Sequence, residues 1–184
     1  MEATKVTRDS AETIEGGVRE MQTIEFQVRR ISVVSSRTFE EIVQRLEAVI
    51  GQPDISAFHK ALAAAASAAE LEEVVRGAIR SSELMEFARY DAGEVLRKEQ
   101  GGQEPKILRL VVGNPIIMKE MAKTAPDAAA YAPVTILVDE RADGVHLSYD
   151  SMESLLAPYG SQAALAVARD LDAKVVGLPE TAAR

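Results

Sequence analysis

The stretch from residue 106 to 149, KILRLVVGNPIIMKEMAKTAPDAAAYAPVTILVDERADGVHLSY, constrains the fold more than any other part of the chain. It opens on a near-continuous apolar run, 106–112, which reads as a buried strand central in a sheet. Gly113-Asn114-Pro115 ends that strand, because glycine allows a turn conformation and proline fixes the direction of exit. A short helix is expected over 116–124. Residues 133–139 and 145–149 then predict a hairpin whose loop spans Glu140 to Gly144, with Asp143-Gly144 as its turn signal. Strands joined by short helices and a hairpin specify an α+β class rather than a doubly wound sheet.

The flanking segments fit around that frame. Residues 1–22 are polar, contain Gly16-Gly17 and show no clear periodicity, so they read as a flexible arm. A single α+β domain is expected over 23–184. Residues 23–34 predict a strand, with Ile24, Phe26 and Val28 alternating and then Ile31 and Val33 in the opposite phase. That slip at Arg29-Arg30 marks a bulge, a bend or a change of buried face. Thr38 and Glu41 form a capping-box pair for a helix over 38–50, which Gly51 would cap and Pro53 would stop. Residues 54–80 are Ala-rich and helical, with a break near Ser67 allowed but not demanded. A strand over 84–90, a helix from Asp91 to Gln100 and a last helix over 161–172 complete the reading, with the tail from Lys174 on the surface.

Composition excludes several classes. The net charge of -8 disfavours general binding to phosphate backbones and docking on anionic lipid. Aromatic residues are only 4%, too few for a surface of stacked rings. With no cysteine, thiolate metal sites, disulfides and cysteine nucleophiles are out. No stretch approaches the about 20 apolar residues that span a bilayer. The N-terminal residues carry no apolar run of the secretory kind, so a cytoplasmic setting is the expectation.

Candidate functional residues collect at strand ends. Gly113 and Asn114 offer backbone amides and a side-chain donor and acceptor beside a helix start; the same pattern also serves a plain strand-to-helix turn with Asn114 as cap. Tyr149, beside Ser148, can present a hydroxyl to a ligand or satisfy it on the backbone. His146 on the same strand can pair with Asp139 or Asp143, or stand on an exposed face. His59 and His146 are the two histidines and neither has a second ligand at i+4, so no metal site is expected. Met118 and Met121 share a helix face and suit irregular core gaps. No cofactor motif is present: Gly16-Gly17 and Gly101-Gly102 lack the flanking strand and helix that phosphate loops need.

The order of Gly113-Asn114-Pro115, Pro133 before a strand, Asp143-Gly144 and Ser148-Tyr149 resembles the family known as domain of unknown function 302. The resemblance covers roughly residues 23 to 178, with 54–80 looking like a helical insertion. It implies an antiparallel sheet of about five strands, with the 38–50 and 161–172 helices on one face, and pairing as a homodimer. The family name assigns no activity. Three readings of function therefore stay open. One is a small-ligand binding domain whose pocket, between sheet and helices, opens near Asn114 and Tyr149 and is lined by Gly113, Ser148 and His146. Another is a partner-binding or structural module using the 54–80 helices. The last is a cofactor-free hydrolase or isomerase using Asn114, Tyr149 or His146.

Overall fold

The computed structural model describes residues 5–9, 21–102 and 106–183. Two strands near the N-terminus, β1 (Lys5–Asp9) and β2 (Met21–Glu25), pair antiparallel as a separate ribbon. The remaining elements follow as β3 (Arg30–Ser35), α1 (Phe39–Val49), α2 (Ile55–Ala64), α3 (Ala68–Ala78), β4 (Met85–Asp91) and α4 (Ala92–Gln100). Then come β5 (Ile107–Gly113), α5 (Pro115–Ala122), α6 (Ala128–Tyr131), β6 (Val134–Arg141), β7 (Gly144–Asp150), α7 (Met152–Leu156) and α8 (Gln162–Ala183). Strands β3 to β7 make one antiparallel sheet in the order β3-β7-β6-β5-β4. This is the expected α+β architecture of five strands with helices over one face. Among the described residues no helix is long and apolar enough to cross a membrane.

Alternation decides which face the helices cover. Across the sheet Leu110 pairs with Ile136, Ile136 with Tyr149 and Tyr149 with Ile31. Leu108, Val138, Leu147 and Val33 form the adjacent inner row. These side chains meet Ile42 and Leu46 of α1, Met121 of α5, Leu156 of α7 and the stripe Leu165, Ala168, Leu171, Val175, Leu178 of α8. A second, smaller cluster joins Phe58 of α2, Val75 and Ala78 of α3, and Met85 of β4. The opposite face of the sheet carries Ser32, Ser148, Leu137 and Arg109 in one row, so its chemistry is mixed.

Local signals explain most element ends. Thr38 Oγ1 accepts from the Glu41 amide at 3.3 Å while Glu41 Oε2 accepts from the Thr38 amide at 3.0 Å, closing the capping box at the start of α1. Ser67 caps α3 through the Glu70 amide, so the Ala-rich region is two helices, not one. Gly101 ends α4 in the left-handed conformation with φ 68°.

Other boundaries differ from the sequence reading for tertiary reasons. The strand expected over 23–34 is split into β2 and β3. Between them the Arg29 amide donates to Ser154 Oγ at 3.0 Å and its carbonyl accepts from the Ser151 amide at 2.9 Å, which binds the chain to the start of α7. The reading of 1–22 as an arm falls partly outside the described residues, as does Gly16-Gly17; Lys5–Asp9 is strand. The β6–β7 turn is tighter than expected, because Arg141 pairs with Gly144 across a two-residue loop. The last helix does not stop at 172: it runs to Ala183, and Val175 and Leu178, read as surface tail, are buried in the core.

Gly51 does not cap α1, whose C-cap is Ile50. It instead bridges to Met85, donating its amide to the Leu84 carbonyl at 2.9 Å and accepting from the Glu86 amide at 2.7 Å. A Cβ at this position would lie 1.9 Å from the Ala78 carbonyl oxygen, so only glycine lets the end of α1, β4 and α3 meet. Gly51→Ala is expected to lower the unfolding free energy by about 2–3 kcal/mol in urea titrations. Gly77→Ala, in α3 with open space at its Cβ, is the control and is expected to be neutral or stabilising by up to about 1 kcal/mol. Equal effects of the two substitutions would refute this account of Gly51.

Candidate functional site

The Gly113-Asn114-Pro115 segment lies where β5 leaves the sheet. Asn114 is the N-cap of α5: its Oδ1 accepts from the Ile116 amide at 2.9 Å, and Pro115 occupies the first helical turn, where a missing amide costs nothing. Its Nδ2 donates to the Glu83 carbonyl at 3.0 Å. Both ends of the side chain thus serve the turn. A Cβ on Gly113 would sit 3.1 Å from Pro133 Cβ and 3.6 Å from Phe87 Cε2, so glycine lets the start of β6 close against the end of β5.

Beside this turn is a cleft of about 170 Å³. It opens where the two packing clusters meet: Phe58 and Leu62 of α2 form one wall, Met118 and Met121 of α5 the other, and Leu171 of α8 lies behind. Phe87 enters it because of an irregularity in β4. Glu86 pairs with Val112 and Ala88 with Val111, so Phe87 is an extra residue in the ladder, a bulge that re-aims its ring. The ring meets Phe58 edge-on, with centroids 6.3 Å apart and planes at 87°. The lining is almost wholly apolar, with the exposed His59 and Asn114 as polar groups at the rim.

The five candidate residues go to three places. Gly113 and Asn114 line the cleft. Tyr149 points to the inner face, where its hydroxyl donates to Asp172 Oδ1 at 2.6 Å. Burial, and next Asp172, push the Tyr149 hydroxyl well above its ordinary pKa, which keeps it protonated and unsuited to acid–base exchange at neutral pH. Ser148 faces the other side of the sheet, with its Oγ 3.1 Å from Ser32 Oγ. His146 is on that side too, its Nε2 2.8 Å from Asp143 Oδ1, and the imidazole holds the Asp143 carboxyl below its usual range. Asn114, His146 and Tyr149 therefore share no cavity. Among the described residues no cluster of three or more His, Asp or Glu side chains could hold a metal ion.

The residue that sequence reasoning passed over is Asp172. It is 7% exposed, yet its carboxylate accepts four hydrogen bonds. The Tyr149 hydroxyl and the Met152 amide (2.7 Å) reach Oδ1; the Ser151 hydroxyl (2.6 Å) and the Glu153 amide (3.2 Å) reach Oδ2. A signal was present. Leu165, Ala168, Asp172 and Val175 fall on one helical stripe, so an acid stands where the period demands a core residue.

A family model described as domain of unknown function DUF302 matches residues 58–178. The match includes most of the helical region that looked inserted and begins after β3 and α1. The chain is also similar in structure to the crystal structure of an uncharacterized conserved protein DUF302 from Bacillus stearothermophilus. The TM-score is 0.58 at 13% identity, with 84% of this chain and 98% of that chain covered, a likeness of fold. No curated protein matches the chain by sequence.

Removing the Asp172 carboxylate takes away the acceptor that four donors share, leaving the Met152 amide only its 3.2 Å contact with the Tyr149 hydroxyl. Asp172→Ala is expected to cost about 3 kcal/mol or more in chemical unfolding, against about 1 kcal/mol for Tyr149→Phe, which removes one donor and leaves the rest in place. Comparable costs for the two variants would mean that the carboxylate does not organise this end of the sheet.

Proposed function

The chain belongs to the DUF302 family, and we propose that this member is a small-ligand binding domain whose site is the apolar cleft between α2, α5 and the end of β5. The observation that carries the reading is an almost wholly apolar space of about 170 Å³ beside a polar rim at His59 and Asn114. An engineered apolar cavity of about 150 Å³ stays dry and takes up benzene, so the size suits one aromatic ring or a short alkyl chain. Methionines on α5 suit such a role because an unbranched thioether re-packs around different shapes. Binding is favoured over catalysis by the chemistry of the lining: Asn114 is held in its cap, and Tyr149, Ser148 and His146 lie elsewhere.

Self-association as a homodimer belongs to the same proposal. β3 is an edge strand of the sheet, and Val34 on it is 50% exposed, which supports pairing with a second copy. Sedimentation equilibrium should give twice the chain mass; a monomer across the accessible concentration range would remove this part.

Indole is a suitable probe for the cleft. At ten times its Kd it is expected to stabilise the fold by about 1.4 kcal/mol, raising Tm by about 4 °C. Leu62→Trp, which fills the space, should abolish that shift while leaving the protein folded. The proposal fails if neither indole nor benzene shifts the wild-type melting curve, or if Leu62→Trp responds as the wild type does.

A further inference from the structure

The face of the sheet turned away from α1 and α8 carries a second concavity, about 330 Å³, which meets the lining of the cleft only at Pro133 and Val134. Its floor is built from strand residues that alternation places outward. Arg109 and Ser148 flank Leu137 in one row, and Thr135 and Asp150 lie in the next. Its wall is Tyr131 at the end of α6, Pro133 and Leu155 of α7. About half of the lining is polar and half apolar.

The charges in this groove do not balance. Arg30 is held by Asp150 in a two-pronged pair, Nε to Oδ1 at 2.7 Å and Nη2 to Oδ2 at 2.8 Å. Asp150 is the sole carboxylate lining the groove among the described residues, so Arg109 is left without a counter-ion. Its contacts are a long hydrogen bond from Nη2 to Thr135 Oγ1, 3.4 Å, and the face of the Tyr90 ring, 5.8 Å from Cζ to the centroid. The ring contact orients the guanidinium without consuming its donors. Two cations against one anion leave the groove at +1 in a chain whose net charge is -8. A guanidinium with spare donors, fixed in orientation beside a hydroxyl, matches the geometry of a carboxylate or a phosphate. The apolar half of the lining, Leu137, Pro133 and Leu155, suits an uncharged body attached to that head.

We infer that this groove binds a small organic oxyanion, with its charged head on Arg109 and Thr135 and its apolar body against Leu137, Pro133 and Leu155. The inference goes beyond the apolar cleft and stands without it: the two linings share only Pro133 and Val134, at the start of β6, and the sites take ligands of different charge.

Benzoate and phenyl phosphate are the probes, titrated separately and followed by the backbone amide resonances of Thr135 and Ser148. At least one is expected to give saturable shifts, and which one binds tighter identifies the head group. Arg109→Gln should weaken that binding about tenfold or more. Thr135→Val, near-isosteric on its strand, should weaken it by about threefold and serves if Arg109→Gln does not fold. Leu62→Trp, which blocks the apolar cleft, should leave it unchanged, so failure of one site is separable from failure of the other. Absence of saturable shifts with both probes overturns the inference, as does affinity unchanged in Arg109→Gln and Thr135→Val.

Discussion

The buried carboxylate of Asp172 is the constraint on which the helical layer depends. A carboxyl group buried inside a protein is tolerated only when its polar atoms are satisfied, and here four donors satisfy them. Those donors come from the end of β7 and the first turn of α7, while the carboxylate comes from the middle of α8. One residue therefore fixes the longest helix, in rotation and in height, against the end of the sheet. Nonspecific apolar packing along a stripe allows a helix to slide or roll at small cost; a set of directional bonds with unmet partners on either side does not. Arg29 continues the arrangement outward, with its backbone tied to Ser151 and Ser154 and its guanidinium 3.2 Å from Glu153. That tie is also why β3 begins where it does.

With α8 fixed, the position of the cleft follows. The sheet and its helices form one packing cluster, while α2, α3 and the start of β4 form another. Gly51 joins them at one point, through a contact with the Ala78 carbonyl that admits no side chain. A few residues away the surfaces diverge, and Phe58, Phe87 and Met118 border the space between them without filling it. Close-packed interiors leave few voids of that size, and this one lies at the junction of the two clusters. The turn at Gly113 and Asn114 shapes the edge of this space as a structural part, with its polar groups already engaged.

The two faces of the sheet carry different chemistry for a simple reason. Inward positions are held apolar by contact with helices, and outward positions are free to take hydroxyls and charges. On that open face an acidic chain keeps the Arg109 guanidinium without a carboxylate partner among the described residues. Repulsion between the many surface acids favours placing cations next to them, and most of the described basic side chains are so placed, as Arg89 is between Glu86 and Glu47. Arg109 departs from that pattern, with Thr135 and the face of the Tyr90 ring beside it in place of an acid.

Much of the fold could be read in the chain itself. The α+β class, the capping box at Thr38, the turn at Gly113-Asn114-Pro115 and the β6–β7 hairpin rest on interactions between residues a few positions apart, and those were legible. Asn114 as a cap was legible too, since Asn followed by Pro at a strand end has a local meaning. The end of α8, the split between β2 and β3 and the duty of Gly51 were not, because each is set by a partner far along the chain: the sheet core, Ser151 and Ser154, and Ala78. The same division applies to the sites. Residue type marked Gly113, Asn114, Ser148, His146 and Tyr149 as polar groups at strand ends, but strand alternation and the path of α8 separated them into a cleft rim, an outer face and a buried network. Phe87 reached the cleft through a bulge that depends on pairing with β5, and Asp172 and Arg109 acquired their roles from neighbours on other elements. Local sequence determined the elements and their caps; only the tertiary structure, in which side chains meet across long separations, decided which groups share a space and which are spent on holding the fold.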